Sequence, residues 1–156
     1  MIRNLQDYLS FSNRHNLCVI KCNSDHLPEI IDELVGNSIK AVNIGQEVAR
    51  ELVGKELKNL AIIVHELLYK LTEKNVSELF PGKPKIIVFY NLGILFEPFI
   101  RLNVEQILKE FSKQYCIIVL WDSQIEDDRV LHWDKQKDTY QINLSDINPL
   151  IIDKTL

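Results

Sequence analysis

Basic runs, metal-binding spacings, a disulfide framework and a membrane-length apolar segment are all missing from this chain. Its 18 lysines and arginines face 22 aspartates and glutamates, for a formal net charge of -4. Non-specific nucleic-acid affinity comes from neutralised phosphates, so this balance, with only scattered basic residues such as Lys135 and Lys137, argues against direct nucleic-acid binding. No stretch reaches the roughly 18 apolar residues that suggest a membrane span. The opening Met1-Ile2-Arg3-Asn4-Leu5 is amphipathic and not a basic region followed by an apolar core, so no signal peptide is expected and the cytoplasm is the expected location. Three cysteines, an odd count, argue against a disulfide framework. Cys18, Cys22 and Cys116 fall in or beside predicted buried strands, where a free thiol behaves as a small hydrophobe. His15, His26, His65 and His132 lack metal-ligand spacing. No Ser–His–Asp or Cys–His–Asp set can be named from order alone, because such sets are recognised by geometry.

What is present reads as one ordinary globular domain over residues 1–156, with 46% hydrophobic and 26% charged residues. Repeats, low-complexity tracts and interior linkers are lacking. Residues 2–14 predict a helix with Ile2, Leu5, Tyr8, Leu9 and Phe11 as its apolar stripe. Residues 17–22 predict a strand. A helix to about Val35 follows, with Ser24 or Asp25 as cap, Pro28 in the first turn and Gly36 at its end. Residues 39–44 predict a strand, and 45–53 and 56–74 helices, the second with Leu57, Leu60, Leu67, Leu68 and Leu71 at helical spacing. Pro81-Gly82-Lys83-Pro84 is a turn. Residues 85–90 and 115–121 are continuous apolar runs, the mark of strands buried on both faces. Between them, 103–113 predicts a helix capped by Asn103 with Gln106 three residues on. The acidic run Glu126-Asp127-Asp128 precedes a hairpin, 138–144 alternates like an edge strand, and 147–152 is a further strand or a docked tail. Strands alternating with helices imply a parallel sheet covered on both faces.

In such a sheet ligands bind at the carboxyl ends of the strands. At the first end the chain reads Lys21-Cys22-Asn23-Ser24-Asp25-His26-Leu27-Pro28. A P-loop, G-x-x-x-x-G-K-[ST], occupies the same strand–turn–helix position. Laid on without gaps, Lys21 and His26 take the two glycine positions, Leu27 the lysine and Pro28 the Ser/Thr. Phosphate needs backbone N–H groups on a glycine-rich turn, a helix N-terminus and a lysine charge. Here side chains at Lys21 and His26 obstruct close approach and Asp25 adds negative charge. At the end of the third strand, where P-loop ATPases hold Mg²⁺ on a carboxylate, stand Tyr90 and Asn91, and no carboxylate comes before Glu97. The fourth strand ends in Trp121-Asp122-Ser123, where Asp122 reads as a turn residue. No cofactor and no metal are therefore expected.

The segment 86–98, Ile-Ile-Val-Phe-Tyr-Asn-Leu-Gly-Ile-Leu-Phe-Glu-Pro, resembles the Walker B region of the small P-loop protein of type 3 BREX phage-defence systems. Residues 101–112 are similar to that family's following helix and 117–121, ending in Trp121, to its next strand. Residues 129–133 and 138–140 are similar to its C-terminal hairpin, and Val42-Asn43-Ile44 with Arg50-Glu51-Leu52 to its second strand and helix. The likeness spans most of residues 15–145 and departs where ATP chemistry would lie, with Tyr90 at the Walker B aspartate. It implies an α/β, three-layer P-loop-NTPase-like fold with a mostly parallel sheet of about five strands. It also implies a bacterial cytoplasm and a place among larger antiviral components.

The leading expectation is a non-catalytic pseudo-ATPase, a structural or adaptor subunit whose empty site is filled by Lys21, Leu27 and Tyr90. Its partners would be other defence-system proteins, such as a larger ATPase or a phosphatase-like subunit, in a homo- or hetero-oligomer. Arg101, Trp133 and Tyr140 are candidate partner-binding residues, since arginine and aromatics are enriched in interface hot spots; Trp133 and Tyr140 could equally be core. Two alternatives stand beside it. One is a nucleotide-dependent enzyme with a non-standard site using Lys21, Asp122 and Arg101. The other is a nucleic-acid-binding accessory module with a basic face that sequence order hides.

Overall fold

A computed structural model describes residues 1–56 and 58–155. The helices are α1 (Ile2–Leu9), α2 (Leu27–Gly36), α3 (Ile44–Leu52), α4 (Leu60–Asn75) and α5 (Val104–Phe111). Five strands, β1 (Asn16–Lys21), β2 (Ala41–Asn43), β3 (Ile86–Tyr90), β4 (Cys116–Trp121) and β8 (Leu150–Asp153), form one sheet in the order β2-β3-β4-β1-β8. All its pairings are parallel. Strands β5 (Ile125–Glu126), β6 (Val130–Trp133) and β7 (Tyr140–Asn143) make a separate antiparallel sheet.

Three layers result from strand alternation, since successive side chains point to opposite faces. Leu17 and Val19 of β1, Ile87 and Phe89 of β3, and Ile117, Val119 and Trp121 of β4 all face one side. There they meet Val48 of α3, the Leu60-Val64-Leu68 stripe of α4, Ile107 and Leu108 of α5, and Leu131 and Ile142 of the small sheet. The alternate residues Cys18, Ile20, Ile86, Val88, Ile118 and Leu120 face Leu5 and Leu9 of α1 and Ile30 and Leu34 of α2. The expected mostly parallel α/β sheet is present, and β8 is the further strand anticipated at 147–152, beside β1. The alternating segment at 138–144 is an edge strand, but of the small sheet. Asp127 and Asp128 turn the hairpin between β5 and β6, both at positive φ, with Arg129 N–H donating to Glu126 O at 2.9 Å. Two left-handed residues match the twist of a hairpin.

Several expected boundaries shift for local reasons. The first helix stops at Leu9, not at 14. The Ser10 hydroxyl donates to Asp7 O and the Asn13 amide to Tyr8 O, capturing carbonyls that a continuing helix would use. Phe11 consequently leaves the predicted stripe and is 71% exposed. Helix α4 begins at Leu60, not at 56, because Asn59 sits in the left-handed region at φ 56°, a conformation asparagine tolerates but a helix does not continue through. Leu57, assigned to that stripe, lies outside the described residues. Neither Ser24 nor Asp25 caps α2. Both belong to a 3-10 turn, Ser24–His26, and His26 precedes the helix without a side-chain cap bond. Pro28 does fall in the first turn, and Asn103 does cap α5, its side chain accepting from Gln106 N–H at 3.1 Å.

The layered core makes two outcomes separable by denaturant unfolding. Leu34→Ala, at a fully buried position, is expected to cost about 2–5 kcal/mol. Phe11→Ser should stay within about 0.5 kcal/mol of wild type. A large loss at Phe11 would mean that α1 is longer and packs differently.

Candidate functional site

Strand order locates the place where a ligand would sit. From β1 the chain crosses by α2 to β2 at one edge; from β4 it crosses by the small sheet to β8 at the other. The carboxyl ends of neighbouring β1 and β4 thus part in opposite directions, the switch point at which open α/β sheets bind ligands. Lys21 and Trp121 are register partners at this end, and Cys22 N–H donates to Trp121 O at 2.9 Å. A cavity of about 280 Å³ lies there, lined by Leu27, Asn43, Tyr90, Asn91, Trp121 and Trp133 among others.

The β1–α2 connection does not wrap an anion. No residue from 21 to 28 has positive φ, so the alternating right- and left-handed backbone of an anion nest is not formed. His26 N–H is turned back to Asn23 O at 3.0 Å. His26 and Pro28 are exposed, whereas Leu27 is half-buried and lends an apolar wall to the cavity. Lys21 is half-buried opposite Asp153 of β8. The Asp153 carboxyl is held below the usual carboxylate range, first by the Thr155 hydroxyl and backbone N–H and, less, by Lys21.

At the end of β3, Tyr90 lines the cavity and Asn91 stands at φ 56°. The Asn91 amide donates to Asn43 Oδ1 at 2.8 Å, an oxygen that also caps α3 by accepting from Gln46 N–H at 3.0 Å. Gly45 N–H donates to Asn91 O at 2.8 Å. The pairing leaves no room at Gly45, where a Cβ would come within 2.5 Å of the Asn91 amide. Asn91 therefore ties the β3 end to the start of α3. The carboxylate of this crevice is Asp122, and Lys135 Nζ engages its Oδ2 at 2.6 Å while lying 5.1 Å from the Trp133 ring centroid. Among the described residues no group of three His, Cys, Asp or Glu side chains is placed to hold a metal.

Aromatic rings cluster beside this crevice. Phe96 packs against Trp121, Trp133 and Tyr140 at centroid distances of 5.8, 5.3 and 4.9 Å, and Trp121 meets Trp133 at 5.7 Å. Gly93 permits this, since a Cβ there would fall 2.7 Å from Trp133 Cζ2. The loop after β6 straps the cluster down: Gln136 donates to Phe96 O at 2.8 Å and the Ser123 hydroxyl to Asp134 Oδ1 at 3.1 Å. Trp121 satisfies its indole N–H on Gln124 O at 3.2 Å.

Of the three residues expected at a partner surface, two look inward. Tyr140 is half-buried, donating its hydroxyl to Leu102 O at 3.1 Å and accepting from Val104 N–H at 3.2 Å. Trp133 is half-buried in the ring cluster, and Arg101 is exposed at φ 56° in the turn before α5. The crevice brings together Leu27, Tyr90, Asn91, Asp122 and Trp133 but neither Arg101 nor His26. Trp121, Phe96 and Asn43 were not singled out from sequence. Gly93, three residues after the end of β3 and three before Phe96, is the one local hint of close aromatic packing.

Burial, with the Asp122 carboxylate adding to it, pushes the Cys22 thiol up to about 11, so the reactive thiolate is a minor form near neutral pH. No protein-family model matches the chain, and no curated protein and no solved structure matches it either.

Magnitudes decide what closes the crevice. Gly93→Ala forces the Trp133 ring to move and is expected to lower stability by about 1–3 kcal/mol. Lys135→Ala removes a solvent-screened ion pair and should cost under about 1 kcal/mol. Equal losses in urea unfolding would mean that the ion pair, not the packing, closes the site. Alkylation of Cys22 by iodoacetamide at mildly alkaline pH should be slow in the native protein and fast in urea. Rapid native labelling would show a thiol neither buried nor raised.

Proposed function

We propose that this chain is a diverged P-loop-like domain without catalytic activity, a structural or adaptor subunit of a bacterial anti-phage defence complex that works through protein–protein contacts. The filled crevice carries the reading. Where a nucleotide's phosphates and Mg²⁺ would sit, Leu27 replaces a lysine and Tyr90 and Asn91 replace a carboxylate. The Trp121 and Trp133 rings line the same crevice, with Phe96 packed against both. The remaining space, about 280 Å³, is below the roughly 300–1,000 Å³ of small-molecule pockets. The resemblance to the small P-loop protein of type 3 BREX systems supplies the setting, with a larger ATPase or phosphatase-like subunit as the kind of partner. The arrangement weighs against a non-standard nucleotide enzyme, because Asp122 is engaged by Lys135 and Arg101 lies outside the crevice.

The test is the melting temperature of the purified chain with and without Mg-ATP or Mg-ADP. A ligand at about 100 times its Kd adds about 2.7 kcal/mol to stability. Each kcal/mol moves Tm by about 2–4 °C in a domain of this size. No shift at millimolar nucleotide is the expected result. A rise of several degrees with either nucleotide would overturn the reading and put the enzyme in its place.

A further inference from the structure

A second cleft lies between α4 and α5, toward the amino ends of the strands, remote from the filled crevice. Helix α4 buries Leu60, Val64, Leu68 and Thr72. The next row at i, i+4 spacing, His65, Tyr69 and Glu73, therefore stands at the edge of the buried stripe. Phe111, at the end of α5 and buried, forms the floor. The His65 ring stacks on it at 5.9 Å and 19°, and Tyr69 meets it edge-on at 5.9 Å and 70°. Tyr115 completes the wall, in a cleft of about 460 Å³.

This cleft is open where the other is closed. Tyr69 is 41% exposed, and among the described residues Phe111 is the one ring packed against it. Three carboxylates, of Glu66, Glu73 and Glu110, stand around it against the one ammonium of Lys70. Among the described residues Glu66 and Glu73 make no salt bridge, and Glu110 meets only His65, at 3.6 Å. Tyr115 ionises above the usual tyrosine range, through burial first and then the neighbouring Tyr69 and Glu73, so the hydroxyl remains neutral there.

We propose that this cleft receives the arginine side chain of a partner protein. Ring faces attract a cation, arginine more often than lysine. A guanidinium is planar, so it can lie along the exposed Tyr69 ring, above the Phe111 floor, while its fork engages a rim carboxylate with two parallel N–H···O bonds. An ammonium is more strongly hydrated and has no such fork. The excess of carboxylates selects a positive occupant over a neutral apolar one. The assignment stands whether or not the crevice at the other end takes nucleotide.

Backbone amide shifts of the isotope-labelled full chain would be followed by NMR during titration with the capped tripeptide Ala-Arg-Ala. Ala-citrulline-Ala, of the same shape without the charge, and Ala-Lys-Ala serve as comparisons. Shifts centred on residues 65–73 and 110–115 are expected, with the citrulline peptide weaker by about fivefold or more and lysine between them. The double variant Glu73→Gln with Glu110→Gln, at surface positions, should weaken the arginine peptide by about tenfold. Absence of shifts in the cleft at tens of millimolar peptide would overturn the proposal. So would equal binding of arginine and citrulline, or unchanged binding by the double variant. The Mg-ATP melting result bears on none of these outcomes.

Discussion

Phe96 packs at once against the last residue of β4, the last residue of β6 and the first residue of β7. On that contact depends the attachment of the small sheet to the large one. Two- and three-stranded sheets of this length hold only when one face packs on something else. Leu131 and Ile142 supply apolar burial in the shared core, and the aromatic pairs add about 0.5–1.5 kcal/mol each beyond area. The contact also sets a constraint at Gly93, where any side chain would enter the Trp133 ring. Beside these terms the Lys135–Asp122 pair, with both groups reached by solvent, is a minor one.

The same packing decides what the carboxyl end of the sheet can do. A nucleotide-binding domain leaves this end open and gains stability from its ligand by mass action. Here rings narrow the end to a cavity of about 280 Å³, and Asn91 and Trp121 make their hydrogen bonds within the chain. Asn43 shows the substitution in miniature. One side-chain oxygen accepts from both the Asn91 amide and the Gln46 N–H, fixing strand end, loop and helix start together. The Cys22 thiol is buried and the Asp122 carboxylate is ion-paired.

Much of the fold was legible in order alone, because long periodic segments leave few alternatives. The continuous apolar runs at 86–90 and 116–121 are the central strands, and the cap at Asn103 marks the start of α5. The losses occurred where short-range polar bonds or a left-handed residue override periodicity, as at Ser10, Asn13 and Asn59. The candidate site divides the same way. The missing glycines, lysine and strand-end carboxylate are absences that sequence displays directly. The identity of the filling groups is not displayed, because Phe96, Trp121 and Trp133 are brought together only by the crossing of the small sheet over β4. Of the expected fillers, Leu27 and Tyr90 line the cavity, while Lys21 is spent beside β8.

Two aromatic clusters at opposite ends of one sheet behave differently, and charge explains the difference. At the carboxyl end the rings meet one another from three directions. The indole of Trp121 and the hydroxyl of Tyr140 find backbone partners, and the neighbouring carboxylate of Asp122 has its own cation in Lys135. Those three groups are matched from within the chain. At the amino end the rings of His65, Tyr69 and Phe111 meet from two helices only. Glu66 and Glu73 stand beside them and make no salt bridge among the described residues. An exposed tyrosine ring beside carboxylates that make no salt bridge is stabilised by a cation supplied from outside. The cleft between α4 and α5 is thus a surface whose chemistry the described residues do not complete.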